Sequence, residues 1–525
     1  GTAGGSGGVF VPDVIVVGSG VAGLTATLRL LDSGASVMLL EKEKRLGGNS
    51  AKASSGINAW TSTRADAHAN DTLATFVADT AKSALRDAGF AHTAGMIALL
   101  ASRSEAAIEW LKARTTIDLS KVAQLGGHSF ARTHRPSNGM IGAELVFALQ
   151  KEVRRFEAGG RLRLCSDCRV TQLLQAGAAE GAGGGGGGAV VGVAYTDASG
   201  GEHEAYAADT MLATGGFAND RSASSLLATH RPDLLAFPTT NGDWATGDGM
   251  KLGMRIGAAT VDMDRVQIHP TGFLDPDHLE ATTKVLCGEM MRGVGGLLLT
   301  PNGTRFVNEL APRDKVVAAE LATGASEFAI VLNSAASKEA GKHAELYERK
   351  GLLSRVHGAE GLASYIAGMR GAADAATLAP RLRAELDAYS ATAAAGGGDP
   401  WGKQHFHNAP FAPDDVFLVG RIVPVLHYCM GGLRMDEGGA VLREDHSPIP
   451  GLHAAGEVTG GVHGNNRLGG NSLLECTVFG GLVGDKLAAR HAQLRAQRAL
   501  GGGGGSSGHI AGGSAAATPL PPPAE

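Results

Sequence analysis

Glycine placed directly after an apolar run can bring backbone against phosphate oxygens, and this chain does so at Gly18-Ser-Gly20-Val-Ala-Gly23. The first glycine permits a tight turn and the second lets backbone approach a pyrophosphate. The third lets helix and strand pack closely, while the helix N-terminus supplies partial positive charge. Glu41 closes the next apolar run, where a carboxylate can accept hydrogen bonds from an adenosine ribose. Leu46-Gly-Gly-Asn-Ser50, Ala213-Thr-Gly-Gly216 and Ala455-Gly-Glu-Val-Thr-Gly-Gly461 continue the theme. A nicotinamide cofactor needs one such site near the N-terminus. One contacted again near the C-terminus is long and bridges distant parts of the fold, as FAD does.

Positioning these loops requires strands that end together. Asp13–Val17 and Ala35–Leu40 read as buried strands, joined by a helix over Val21–Leu31 with apolar Ala22, Leu24, Leu28 and Leu31. Strand, helix and strand in this order make a βαβ unit and a parallel sheet. Asp209–Leu212 and Gly451–Ala454 read as two more short strands. The stretch 264–428 has longer helical patterns with scattered His, Arg and Pro. The expected architecture is α/β: a doubly wound, Rossmann-like FAD-binding domain in two parts, 9–263 and 429–491, with an inserted α+β capping domain at 264–428. A flexible leader (1–8) and a low-complexity tail (492–525) complete it.

Of 525 residues, 78 are glycine, about twice the ordinary share. The runs Gly183–Gly188 and Gly501–Gly505 lack apolar periodicity and read as flexible filler. A net charge of −5 argues against nucleic acid or an anionic membrane held by bulk charge. Five cysteines are too few for a disulfide framework. No apolar run approaches the roughly 20 residues that span a bilayer, so a soluble intracellular protein is expected. The start without Met suits a removed initiator or targeting peptide, and leaves mitochondrial, plastid and cytosolic locations open.

The chain resembles the flavoprotein family of fumarate reductases and succinate dehydrogenases, in particular its soluble, single-chain eukaryotic fumarate reductases. The resemblance runs from about Pro12 to Arg490. It rests on IHPTGFLDP (268–276), EMMRGVGG (289–296), RFVNELAPRDK (305–315), HYCMGG (427–432) and AAGEVTGGVHGNNRLGGNSLLE (454–475). It implies hydride transfer from reduced flavin N5 to fumarate, giving succinate. His269, His427 and Arg467, with Arg313 and Gly470, would bind the substrate, Arg313 would donate the proton, and Glu289 and Arg292 would resupply it. Holding one carboxylate out of plane would polarise the alkene.

The residue types agree, because a dicarboxylate needs fixed cationic or donor groups at both ends and arginine binds a carboxylate bidentately. His269, Arg313, His427 and Arg467 all lie in runs bordered by Pro or Gly, which reads as loops. Physics alone would nominate a histidine as the acid, since arginine as a type stays protonated far above neutral pH. The assignment to Arg313 therefore belongs to the resemblance, and needs a buried Glu–Arg chain behind it.

For the cofactor the resemblance implies contacts from Gly18, Ser19, Gly20, Ala22, Gly23, Glu41 and Lys42, then Gly48, Asn49, Ser50, Ser55, Gly56 and Ile57. Val170, Ala213, Thr214, Gly215, Asn241 and Asp248 follow, and the C-terminal part adds Gly456, Glu457, Arg467, Gly470, Asn471, Ser472 and Leu473. No His occurs between Gly18 and Trp60, where membrane-complex members attach FAD covalently, so FAD is expected to be non-covalent. Gly288 and Cys429 replace threonines of bacterial members, and both are expected near the substrate.

Cys165-Ser-Asp-Cys168 has CxxC spacing but lies in LRLCSDCRV, expected as one strand, with no second pair; no metal is expected. No CxxCH is present to bind haem, and no second dinucleotide fingerprint. Electrons are therefore expected from an external reduced flavin or NADH, and the chain is expected to be a monomer. His128, His134 and His453 are expected on the surface or one layer behind the site. The alternatives are a reductase of another α,β-unsaturated carboxylate such as urocanate, a dehydrogenase working in the oxidative direction, and a non-catalytic flavin-binding protein.

Overall fold

A computed structural model of the chain describes residues 10–61, 70–84, 91–137, 139–177 and 188–501. The leader, most of the 183–188 glycine run and the chain beyond 501 lie outside them. Val14–Val17 and Val37–Leu40 are buried on both faces, as continuous apolar runs must be. They are central in a six-stranded sheet ordered Ala440–Leu442, Pro448–Ala454, Asp209–Leu212, Val14–Val17, Val37–Leu40, Leu162–Cys165. Every pairing is parallel except that of Ala440–Leu442 with Pro448–Ala454. The register aligns Val17 with Leu40 and with Leu212, so neighbouring strands end at the same level. Gly18, Glu41, Ala213 and Ala455 then emerge side by side.

The two faces of this sheet are covered differently. Val14, Val16, Val37 and Leu39 pack with Leu24 and Leu28 of the helix Val21–Asp32 and with Leu474, Val483 and Leu487 of the helix Asn471–Gly501. That last helix continues to Gly501, past the expected boundary at 491. Ile15, Val17, Met38 and Leu40 instead meet Val170, Leu173, Val193 and Tyr195. These belong to an antiparallel three-stranded sheet of Arg169–Gln175, Val190–Thr196 and Glu202–Tyr206. LRLCSDCRV is therefore two strands rather than one: Leu162–Cys165 belongs to the parallel sheet and Arg169–Gln175 to the covering sheet.

A second sheet is wholly antiparallel and built on one long strand, Val416–Cys429. Val266–Phe273 and Ser354–His357 pair with it, as does Phe328–Leu332, while Val285–Leu286 and Leu297–Leu299 extend the sheet outward. Its pairing with Val266–Phe273 is irregular twice. Gln267 faces Tyr428 and Ile268 faces Leu426, so His427 is the extra, bulged residue. Further along, His269 faces Val425 and Gly272 faces Val423, with Pro270 and Pro424 in the gap, neither able to donate to the ladder.

Candidate active site

A cavity of about 480 Å³ runs from the carboxyl ends of the parallel strands to the bulged strands of the second sheet. The first glycine is at φ +102°, and a Cβ there would sit 2.4 Å from the Ala213 carbonyl oxygen. A Cβ on Gly23 would lie 1.9 Å from the Gly18 oxygen, so these two glycines serve packing. Gly20 is different: its Cβ would meet nothing closer than Ser50 Oγ at 3.3 Å, leaving backbone open to the cavity. Ser50 Oγ accepts from the Val21 N–H at 3.2 Å and ties the Leu46–Ser50 segment to the helix start.

Glu41 does more than await a ribose. Its Oε2 accepts from the Ser19 N–H at 3.0 Å and from Ser19 Oγ at 2.5 Å, and its Oε1 from the Glu43 N–H at 2.9 Å. A carboxylate has about four acceptor positions, so capacity remains. Lys42 and Asp248 pair at 2.9 Å. Asn49 Nδ2 donates to Asn241 Oδ1 at 2.6 Å, and Asn241 Nδ2 to the His427 carbonyl at 3.1 Å. Thr214 Oγ1 and Trp244 Nε1 line the cavity and are buried without a hydrogen-bond partner among the described residues. A long, partly apolar cavity with open glycine backbone at one end and unused donors along it fits FAD. Burial raises Glu457 to about 8, so it is mostly protonated at neutral pH, and it accepts from the Cys429 N–H at 2.9 Å.

At the other end charges crowd together. Arg313 opens the helix Arg313–Thr323, an unfavourable place for a cation beside the positive helix end. Glu289 compensates: Arg313 Nε lies 2.7 Å and Nη2 2.6 Å from Glu289 Oε2. Burial pushes Glu289 up, but Arg313 and Arg292 overcome it and hold the carboxyl at about 2. Gly126 N–H donates to Glu289 Oε1 at 2.9 Å, and Arg292 Nη2 stands 3.8 Å from that oxygen. Burial, then Arg313, lowers Arg467 to about 10, which leaves it charged at neutral pH. Its guanidinium lies over the Tyr428 ring at 4.3 Å.

Gln267 joins the two cations. Its Oε1 accepts from Arg313 Nη1 at 2.7 Å and from Arg467 Nη2 at 3.3 Å, while its Nε2 donates to the Arg467 carbonyl at 2.8 Å. His269 and His427 meet edge to face with centroids 5.0 Å apart. Burial and then Arg313 drive both well below the usual histidine range, so both are neutral. His269 Nδ1 accepts from the Thr271 N–H at 3.2 Å, which places the ring hydrogen on Nε2. His269 Nε2 and Arg467 Nε are buried donors without hydrogen-bond partners among the described residues. Three guanidiniums, Arg292, Arg313 and Arg467, against the one carboxylate of Glu289, with unused donors, leave the site short of negative charge, so an anion completes it.

Of the residues expected at the cofactor, all but Gly23, Ile57 and Asn471 line the cavity. Of those expected at the substrate, Arg313, His427, Arg467 and Gly470 line it, while His269, Glu289 and Arg292 stand behind. The loop expectation holds only for Arg467; His269 and His427 lie on paired strands and Arg313 on a helix. Gly288 packs on Ser54, since a Cβ there would lie 2.6 Å from its Oγ. The Cys429 thiol accepts from the Phe217 N–H at 3.3 Å, on the cofactor side rather than the substrate side.

None of the three unassigned histidines is a surface residue. His128 Nε2 is 2.9 Å from the Gly469 carbonyl, His134 Nδ1 is 3.2 Å from the Leu119 carbonyl, and His453 pairs with Asp209 at 3.2 Å, all buried. Sequence reasoning missed Gln267, Lys52, Asn58 and Glu320. Lys52 lines the cavity and donates to the Thr240 carbonyl at 2.6 Å. Asn58 Nδ2 holds the Gly469 carbonyl at 2.7 Å, and a Cβ on Gly470 would strike Asn58 Oδ1 at 2.1 Å. Glu320 shares the buried face of the Arg313 helix with Val316 and Val317, and neither carboxyl oxygen is hydrogen-bonded among the described residues. Burial raises it well above the carboxylate range against the opposing pull of Arg292. Gln267 directly precedes the IHPTG run but lies outside it, so the motif did not point to it.

The family model described as "FAD binding domain" matches residues 13–473. A "Fumarate reductase" of Schizosaccharomyces pombe is 41% identical over 474 residues, covering 90% of this chain and 88% of that protein. "Fumarate reductase 1" of Saccharomyces cerevisiae is 37% identical over 488 residues, covering 90% and 98%. Among solved structures, the open conformation of a flavocytochrome c3 fumarate reductase superposes with a TM-score of 0.70 at 30% identity, covering 93% of this chain and 79% of that one. Among the described residues no helix is long and apolar enough to cross a membrane.

Proposed function

The chain belongs to the FAD-binding-domain family, and from that premise we propose that it is an FAD-dependent fumarate reductase, an oxidoreductase acting on a CH–CH bond. It adds hydride and a proton across the double bond of fumarate to give succinate. The observation that carries this reading is the Gln267 amide bridging Arg313 and Arg467, at the register shift where His427 bulges and at the end of a cavity fit for FAD. The names of the relatives agree with it. Reduced FAD, when bound, supplies the hydride.

FAD is held non-covalently by the glycine loop, Glu41, the Thr214–Gly215 turn and the Gly456–Glu457 turn. The residues of the charged end do the rest. Arg467 and the neutral Nε2–H of His269, with His427, hold the substrate carboxylates by charge and directed hydrogen bonds. Thr240 Oγ1, 2.8 Å from His427 Nδ1, fixes that ring. Arg313 keeps a free hydrogen on each terminal nitrogen after its bonds to Glu289 and Gln267, and one of these protonates the second alkene carbon. Ionised Glu289 touches Arg313 through Oε2 and faces Arg292 through Oε1, so a proton can pass from Arg292 to Arg313 across one carboxylate. The 264–428 segment acts as the cap that excludes water from the reacting atoms. The electrons come from outside the chain, from a free reduced flavin or NADH, to a monomer.

The test is anaerobic. The flavin of the holoprotein is reduced, and fumarate, urocanate or a cinnamate is added while flavin absorbance is followed. Prompt reoxidation by fumarate is expected. Reoxidation by another enoate and not by fumarate overturns the substrate, and none by any of them makes this a binding protein.

A further inference from the structure

The CxxC pair stands apart from the chemistry above. Cys165 ends the outermost parallel strand, and Cys168 directly precedes the first strand of the covering sheet. Only Ser166 and Asp167 separate them, with Asp167 in the left-handed region at φ +54°. Cys168 belongs to a buried apolar cluster against which Cys165 also packs, so both side chains lie on the same side of the turn. Cys165 is partly exposed, whereas Cys168 is buried and lines the cofactor cavity. Among the described residues no group of three or more potential metal ligands occurs.

Their peptide groups enclose one residue. The Glu41 N–H donates to the Cys165 carbonyl at 2.9 Å, and the Cys168 N–H donates to the Glu41 carbonyl at 2.8 Å. The Asp167 N–H reaches the Glu43 carbonyl at 3.3 Å. Glu41 in turn holds Ser19 of the glycine loop through both its N–H and its hydroxyl. A change in the CSDC turn is therefore two hydrogen-bonded steps from the backbone that faces the cofactor.

We infer that Cys165 and Cys168 form a dithiol site that exchanges with small-molecule disulfides, and that its oxidation weakens FAD binding through Glu41. The accessible Cys165 thiolate attacks one sulfur of a disulfide RSSR, forming a mixed disulfide and releasing RS⁻. Cys168 then attacks the Cys165 sulfur and expels the second RS⁻. The protein pair loses two electrons, RSSR gains them, and the two thiol protons pass to the two released thiolates. Drawing the sulfurs to a bond of about 2.05 Å pulls the turn against its hydrogen bonds to Glu41 and Glu43. By linkage, bound FAD disfavours the disulfide as much as the disulfide disfavours FAD. The inference needs the cofactor site but not the fumarate reading.

The experiment treats holoprotein with oxidised glutathione, then measures free thiols, the mass of the peptide spanning 165–168, and FAD affinity by flavin fluorescence. The expected result is loss of two of the five thiols, a peptide lighter by two hydrogens, and FAD affinity weakened by roughly tenfold, restored by a dithiol reductant. Cys165→Ser and Cys168→Ala should each keep, under oxidant, the FAD affinity they have without it. A peptide that retains both thiols, or one that carries a lasting glutathione adduct, overturns the dithiol site. A disulfide formed with unchanged FAD affinity overturns the coupling.

Discussion

The two ends of the cavity are built on opposite principles. The nucleotide end is backbone: glycine turns emerging level from parallel strands, with Glu41 holding Ser19 in place. The substrate end is side chain: two arginines, a glutamate, a glutamine and two neutral histidines, brought together by bulged strands and a helix start. The first recognises through backbone N–H groups, so it needs the glycines that let the backbone approach rather than particular functional side chains. The second depends on each group, because a buried guanidinium or imidazole without its partner costs the full desolvation of a polar atom. Damage at the charged end should therefore appear in turnover, and damage at the glycine end in cofactor affinity.

Arg313→Ala should show the greatest effect. Turnover should fall by about 10²–10⁴ or more while FAD remains bound, because the acid is lost and the cofactor end is untouched. Steady-state rates together with flavin content check this, and near-normal turnover would remove Arg313 from the chemistry. Gln267→Leu comes next. Without the amide oxygen the two guanidiniums face each other unscreened, and kcat/KM should fall by roughly ten- to a hundredfold. A fall confined to FAD binding would place Gln267 on the wrong side of the contrast.

Glu41→Gln reverses the pattern. The amide keeps the shape but weakens the acceptor for Ser19, so FAD affinity should drop by about tenfold with kcat at saturating FAD near normal. Titration of apoprotein with FAD tests it, and an equal loss in kcat would show that the two ends are not separable. The smallest change belongs to Glu457→Gln. Because Glu457 is raised to about 8, its neutral form is the one an amide mimics, and FAD affinity at neutral pH should stay within about twofold. A group raised on folding contributes stability below its unfolded value and loses it as pH rises through about 8. The parent should thus lose stability as pH rises from about 4.5 to about 8, and the glutamine variant should lack that slope. Melting temperatures against pH decide it.

Much of the nucleotide end was legible because its signals are local. Gly18, Gly20, Gly23 and Glu41 belong to one βαβ unit whose period and turn residues lie within a short window. The charged end was legible only as motifs. His269 and His427 were expected in loops because Pro270, Gly431 and their neighbours break the strand pattern, yet pairing with a distant strand overrides local propensity and turns the irregularity into bulges. Gln267 and Glu320 carried no signal, since a lone Gln or Glu in a strand or helix pattern reads as surface until packing buries it. His453, expected on the surface or one layer behind the site, is buried for the same reason: the partner that permits it, Asp209, lies far away in the chain.

The sequence by itself determined the parallel sheet, the glycine turn and the order of the motifs, because each depends on periodicity and on the φ/ψ freedom of nearby residues. Only the tertiary structure decided which donors converge, which face of the sheet carries a second sheet rather than helices, and which of Glu289, Glu320 and Glu457 is ionised. Those outcomes depend on burial and on charges far apart in the chain, and neither quantity exists until the chain has folded.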